Sequence, residues 1–220
     1  FSTGNHPVEM LVPMLHLRNA GFHIDVFTPT GKSAKIEGWA MPAEDKNVMS
    51  LYAQYEEQFN HPKSLSEFVN QHMNDSSDFT AIFIPGGHGA MNGLPENQDL
   101  KKIIHWSFQK DLHMLAICHG PAALLSANLN QDGEFLYSGY SMAVFPDSMD
   151  KQTPMIGYMP GQLTYQFGSK LSELGVNIVN KKADKTCHQD RKLITGASPQ
   201  AANDFGLLSA TALLQSKNIL

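Results

Sequence analysis

"HMLAICHGPAALL", His113 to Leu125, is the stretch whose reading decides the fold. An apolar run ends in Cys118, His119 and Gly120, and Pro121 then opens an Ala/Leu helix. A short run with no polar face suits a strand buried on both sides, as in a parallel sheet. Pro just inside a helix start fits as well, because the first helical turn needs no N–H partner there. The stretch therefore predicts a tight strand–turn–helix corner with a thiol at its tip.

The rest of the chain extends the alternation. "FTAIFIPGGHGAMNGL" is an apolar run closed by a Gly-rich turn, and "QDLKKIIHWSFQKD" has helical period. "GYSMAVFPDSMD" reads as a strand ending in acidic residues. "LTYQFGSKLSELG" reads as a helix, "VNIV" as a short strand, "KTCHQDRKLITG" as a strand pair and "SPQAANDFGLLSATALLQS" as a final helix. Strand and helix alternating in this way predict an α/β domain, a doubly wound parallel sheet sandwiched by helices. Near the start, Pro7, Val8, Leu11 and Leu15 predict a helix to about Ala20, bent at Pro13 and ended by Gly21. "FHIDVFTP" alternates, with Phe22, Ile24 and Val26 on one face, and reads as a strand.

Residues 30–74 break this rhythm. They are polar and hold two expected helices, near 46–59 and 64–73, the second opened by a Ser64/Glu67 capping box. We read them as a small helical cap inserted into a core made of residues 1–29 and 75–220. A solvated helical hairpin without function is the alternative.

Composition bounds the function. The 220 residues are 42% hydrophobic and 17% charged, with a net charge of −5, which offers no electrostatic footprint for nucleic acid. No apolar run reaches the roughly 18 residues of a membrane span, and no signal peptide pattern is present. Cys118 and Cys187 are too few for a disulfide framework, so a reducing cytosol is the expected setting.

At the end of a strand in an open α/β sheet, Cys118 sits where such folds build their sites. The N–H groups and dipole of the following helix favour a thiolate and can hold an oxyanion. Cys118 is thus expected to be acidic and reactive, and Cys187, in polar "DKTCHQD", ordinary. His119 is a base if the corner turns its ring toward the thiol, and otherwise a packing residue. Gly86 and Gly87 are candidate oxyanion donors, a weak signal because Gly-rich βα turns are common. Glu9, one turn after Pro7, can handle protons if burial raises its pKa, and is otherwise a solvated helix residue.

Together "FSTGNHPVEM", "WAMP", "FIPGGHGAMNGLPE", "CHGPAALL", "FPDSMDKQTP", "IGYMPG" and "DRKLITGASPQAAN" resemble the PfpI superfamily of class I amidotransferase-like proteins. That superfamily includes the Parkinsonism-associated deglycase and intracellular cysteine peptidases. The resemblance is narrower still to its heat-inducible HchA branch, which combines chaperone, glyoxalase III and protein/nucleic acid deglycase activities. It implies a flavodoxin-like fold with a small cap, in homodimers. It implies Cys118 as nucleophile, His119 as its imidazole partner, Asp150 as the acid orienting that imidazole, and Glu9 as general acid/base. Asp147 is the lower-ranked rival of Asp150. Backbone N–H groups of Gly87 and His119 would serve the oxyanion.

Substrates implied are a small α-oxoaldehyde such as methylglyoxal or an early glycation adduct, with no cofactor. Unfolded clients would meet apolar cap residues, for which Trp39, Met41, Met49, Leu51, Tyr52 and Phe59 are candidates; a packed cap interior is the alternative. A peptidase ranks lower, because a small carboxylate-lined site suits an aldehyde better than a peptide. Some members hold zinc on two histidines and a carboxylate, and those positions fall on Arg18, His23 and Tyr55, so no such zinc site is expected. His105, His113 and His188 are expected to be surface or structural. Members also carry an arm and a first core strand ahead of "FSTGNHP". A sheet lacking that strand leaves ladder groups unpaired, so residues 1–220 are not expected to fold alone.

Overall fold

The computed structural model describes residues 3–130 and 133–217; Phe1 and Ser2 of the opening motif lie outside them. Helix α1 (Pro7–Asn19) starts on Pro7 and runs on through Pro13. After β1 (Phe27–Thr28) come α2 (Lys46–Asn60), β2 (Lys63–Ser64) and α3 (Leu65–Gln71). Asp45 caps α2, and Ser64 and Glu67 form the expected reciprocal capping box on α3. Then follow β3 (Ala81–Ile84), α4 (Gln98–Gln109), β4 (His113–Ile117), β5 (Ser141–Met142), α5 (Asp147–Asp150), α6 (Phe167–Glu173), β6 (Asn177–Ile178), β7 (Cys187–Asp190), β8 (Leu193–Gly196) and α7 (Ala202–Lys217).

The main sheet has the order β3-β4-β8-β7. β3, β4 and β8 are parallel, and β7 closes one edge as the antiparallel half of a hairpin with β8. This is the flavodoxin-like α/β sandwich expected, with shorter strands. All of β4 is buried, which is why its sequence carries no polar face. Met114 and Ala116 face α4 and the helix at Gly120–Asn128, together with Ile103, Ile104 and Leu124. Leu115 and Ile117 face the other layer, with Leu17 of α1 and Phe205 and Leu213 of α7. α2 lays Val48, Leu51, Tyr55 and Phe59 on Met10, Leu11 and Met14 of α1, while Leu65 and Phe68 of α3 join the α4 side of the core.

Several expectations are corrected. "FHIDVFTP" is not a strand along its length: only Phe27 and Thr28 pair, with Lys63 and Ser64. Alternation prepares a segment to be a strand, but a ladder needs a neighbour, and among the described residues no strand pairs with Phe22–Val26. The helix after Cys118 is 3₁₀ from Gly120 to Asn128 rather than α. In "GYSMAVFPDSMD" only Ser141 and Met142 pair, and Asp147–Asp150 form a helical turn. His113, expected to be a surface or structural residue, is buried in β4, and burial pushes its pKa down to about 4. His105 bonds the Ala127 carbonyl, and His188 lies in β7.

A cavity of about 790 Å³ opens between residues 21–30 and 78–85, with Phe22, Ile24, Val26, Phe83 and Leu115 among its lining. The Thr80 carbonyl accepts from His113 N–H, so in the parallel ladder alternate residues Ile82 and Ile84 face β4. Ala81 and Phe83 then point their N–H and C=O groups toward the cavity.

Candidate active site

β4 delivers Cys118 at its carboxyl end in a left-handed conformation, φ 60°. For a residue with a Cβ this is unfavourable, and it is held by two backbone bonds. Cys118 N–H donates to Gly196 C=O at 2.7 Å, and its own C=O accepts from Phe145 N–H at 2.9 Å. The corner folds His119 back beside the thiol, its Nδ1 3.3 Å from Cys118 Sγ. On the far side of the ring, Nε2 donates to Asp150 Oδ2 at 2.9 Å. A carboxylate can only accept, so the proton sits on Nε2 and leaves Nδ1 free to take one from the thiol. Phe145 stacks on the imidazole at 4.6 Å, and burial lowers the His119 pKa despite Asp150, so the ring is neutral.

Asp150 is held well inside the protein on the α5 turn, and hydrogen bonds from His119 and His88 keep its pKa low against the burial that would raise it. Asp147, its rival in sequence, turns away. It accepts from Gly168 N–H, Ser169 N–H and Ser169 Oγ, and so caps α6.

Glu9 comes from the first turn of α1 and is fully buried. Its carboxyl lies against the Cys118 thiol and Gly87 N–H, yet neither oxygen makes a well-formed hydrogen bond. Burial pushes its pKa up to about 8, so it carries a proton at neutral pH. Gly86 explains how it gets so close: a methyl there would overlap Glu9 Oε2 and stand 2.8 Å from Cys118 Cβ. Gly87 has φ 99°, and a Cβ on it would meet His6 N at 2.6 Å. The double glycine is thus needed for close approach.

The expectation of an acidic Cys118 is corrected. Burial first, and then the neighbouring Glu9, push the thiol well above its ordinary range, outweighing the His119 N–H that favours the thiolate. Sequence position at a helix start signals the donors but not the burial. Cys187 is also raised, to about 11, mainly by burial.

His88, which the sequence reading passed over inside its Gly-rich turn, donates from Nε2 to Asp150 Oδ1 at 2.9 Å. Its place directly after Gly86–Gly87 at the end of β3 was the available signal. His88, His119 and Asp150 are the group among the described residues whose potential metal-ligand atoms converge, within 4.8 Å. Each carboxylate oxygen is already matched by one imidazole N–H, so these three side chains satisfy one another by hydrogen bonding. The zinc positions weighed in sequence are occupied differently: Arg18 Nη1 donates to Phe22 C=O, Tyr55 is buried, and exposed His23 faces Asp25.

At the rim, Trp39 lies edge-on to both His6 and Tyr158, and Tyr158 is 5.9 Å from His88. Burial and nearby Glu37 push Tyr158 up to about 12, so it remains a hydroxyl. Of the cap residues named above, Leu51 and Phe59 are buried in the interior and only Trp39 is strongly exposed.

A strained cysteine after a buried strand, an adjacent histidine and a glutamate rising from α1 are features that comparison with known families can test. The family model described as DJ-1/PfpI matches residues 2–135. The chain belongs to the DJ-1/PfpI family. Over 214 residues it is 48% identical to protein/nucleic acid deglycase 1 of Escherichia coli K12, covering 97% of this chain and 74% of that protein. Glyoxalase III from Candida albicans has a similar fold, with TM-score 0.73 and 23% identity over 96% of this chain and 88% of that one. The rapid encystment protein of Francisella tularensis matches at TM-score 0.79 and 23% identity, over 96% and 90%. The DJ-1/PfpI model ends at residue 135, before Asp150, whereas the Escherichia coli protein is similar along nearly the whole chain.

Proposed function

We propose that the protein is a cysteine-dependent, cofactor-independent glyoxalase III and deglycase, acting on methylglyoxal and on early glycation adducts. The observation that carries this reading is the meeting of Cys118, neutral His119 and protonated Glu9 in one buried corner. The 48% identity to a deglycase supports it. The burial of the thiol favours a small aldehyde over a peptide.

The chemistry follows from the proton positions. Sγ attacks the aldehyde carbon, its proton passes to His119 Nδ1, and the carbonyl oxygen takes the proton of Glu9, giving a hemithioacetal. Glu9, now a carboxylate, removes the C1 hydrogen. The electron pair forms the C1=C2 bond of an enediol, whose second oxygen takes the His119 proton. Glu9 then protonates C2 while the C1 hydroxyl proton returns to His119. C1 is thereby oxidised and C2 reduced, and a lactoyl thioester results. Water gives a proton to Glu9 and its oxygen to C1, the C–S bond breaks, and His119 reprotonates the sulfur. N–H groups of Gly87 and His119 are the donors proposed for the oxyanion. With a hemiaminal adduct Sγ displaces the amine at C1: the C–S bond forms as the C–N bond breaks, the thiol proton passes to His119, the leaving amine takes the Glu9 proton, and the same hemithioacetal results.

Incubation of the protein with methylglyoxal, without glutathione or nicotinamide, is expected to form one lactate per methylglyoxal consumed. Consumption without lactate would mean simple adduct formation and would overturn the proposal.

A holding activity toward unfolded chains is a second reading, favoured by the exposure of Met155, Ile156 and Trp39, at 80%, 78% and 68%. Homodimers are the assembly we propose for it, to be read by light scattering. Two unpaired cysteines suit a reducing compartment, which we take to be the cytosol.

A further inference from the structure

We propose that His88 is a positioning residue: by occupying Asp150 Oδ1 it fixes the carboxylate so that Oδ2 meets His119 and aims His119 Nδ1 at the thiol. The proposal rests on reading Cys118, His119 and Asp150 as the reacting set.

A carboxylate holding one imidazole through one oxygen can swing about its Cβ–Cγ bond. A second donor on the other oxygen removes that freedom. In this site the two imidazoles take one oxygen each at 2.9 Å, and their rings lie 4.0 Å apart at 41°. Both are almost fully buried. His88 cannot drift, because it opens the turn His88–Met91 directly after Gly87, whose carbonyl accepts from Ala90 N–H. Gly86 lies two residues ahead of that turn on the same segment, so the stretch that admits Glu9 to the thiol also anchors Asp150. One displacement of it would disturb both sides of Cys118.

Electrostatics add a second consequence. The groups acting on His119 are Asp150 and Glu37, which raise its pKa, and His88 and His6, which oppose protonation. Cys118 and Glu9 lie on its Nδ1 side, and Tyr158 lies against His88. By sharing the Asp150 charge, His88 keeps His119 neutral and able to accept the thiol proton. Without His88 that charge falls on His119 alone, and the imidazole holds a proton to higher pH.

The test is peptide-resolved alkylation of Cys118 by iodoacetamide against pH, in the full chain with His88 intact, His88→Gln and His88→Leu. The Gln amide can place a donor near the position of His Nε2, and Leu cannot. His88→Leu is expected to slow neutral-pH alkylation about tenfold and to move its rise to higher pH. His88→Gln is expected to stay within about threefold of the parent on the same hydrogen-bond reasoning. Equal rates and profiles for parent and Leu, or equal loss in Gln and Leu, would overturn the proposal. Should the Leu variant melt below the assay temperature, imidazole ¹⁵N shifts of the unaltered protein decide. Both rings are expected to carry the proton on Nε2, and an unprotonated Nε2 on His88 would overturn the proposal. Neither measurement needs a substrate, so absent lactate formation would sink the proposed function and leave this test standing.

Discussion

Replacement of Cys118 by Ala is expected to remove lactate formation from methylglyoxal, by on the order of 10³-fold or more, while the melting temperature changes little. The loss follows from the bond the reaction needs: without Sγ there is no hemithioacetal and no thioester. His119 and Glu9 could still polarise a bound aldehyde, but no covalent route remains. Stability is spared for a geometric reason. The left-handed φ of 60° strains Ala no more than Cys, and Gly196 and Phe145 still bond the same backbone groups. The missing sulfur leaves a space smaller than a methylene or two, costing about 1 kcal/mol. Substantial lactate from the variant would end the nucleophile assignment. The same variant is expected to hold back aggregation of a heated client as well as the parent, because Trp39, Met155 and Ile156 do not touch the thiol.

Its remaining thiol, Cys187, sits near the carbonyls of Lys185 and Ala201, and burial pushes it up to about 11. Cys118 is also pushed up, so its advantage cannot be a preformed thiolate. In the proposed mechanism it comes from His119, 3.3 Å away, taking the proton as the new bond forms. Reactivity in this site is a property of the pair and not of the thiol alone.

The corner at Cys118 was legible because three local rules agree there: a polar-free strand, a residue at its carboxyl end and Pro at the first helical turn. The sheet's parallel centre followed from the same alternation. Glu9 could be seen only as a candidate, since the burial of α1 against the α7 layer and the notch at Gly86 are tertiary facts. The segment Phe22–Val26 misled because alternation reports a side chain's preferred face and says nothing of whether a neighbouring strand exists. Asp147 and Asp150 are three residues apart on one short turn, so sequence could not separate them from the residues alone. Space does: one caps α6 and the other is buried under two imidazoles. His88 was hidden by its setting, because a Gly-rich turn draws attention to its N–H groups and away from its side chain.

Glu9→Gln is expected to lower turnover by about 10²-fold at neutral pH, the usual cost of losing a positioned general acid/base. The amide keeps the shape and the close contact that Gly86 permits, but it cannot deliver and reclaim a proton. The parent's turnover should also fall as pH rises through about 8, when Glu9 loses the proton it gives to the aldehyde oxygen. Stability should move in the same window with a definite sign. The folded-state pKa of Glu9, about 8, lies above its ordinary value of 4.5, so the folded protein holds this proton more tightly than the unfolded chain does. Its contribution is therefore intact below about 4.5 and is lost progressively as pH climbs to 8. The full gap corresponds to roughly 5 kcal/mol as an upper bound. Gln has no proton to lose, so the variant should gain on the parent in melting temperature between pH 5 and pH 8. Removing the Glu9 charge also relieves one of the two main pressures on the thiol, so Cys118 of the variant should alkylate at lower pH than the parent's. Lactate formation near the parent's rate would take Glu9 out of the chemistry. A melting difference that stays flat from pH 5 to pH 8 would mean that Glu9 is already ionised in the folded state, and that the first proton comes from another group.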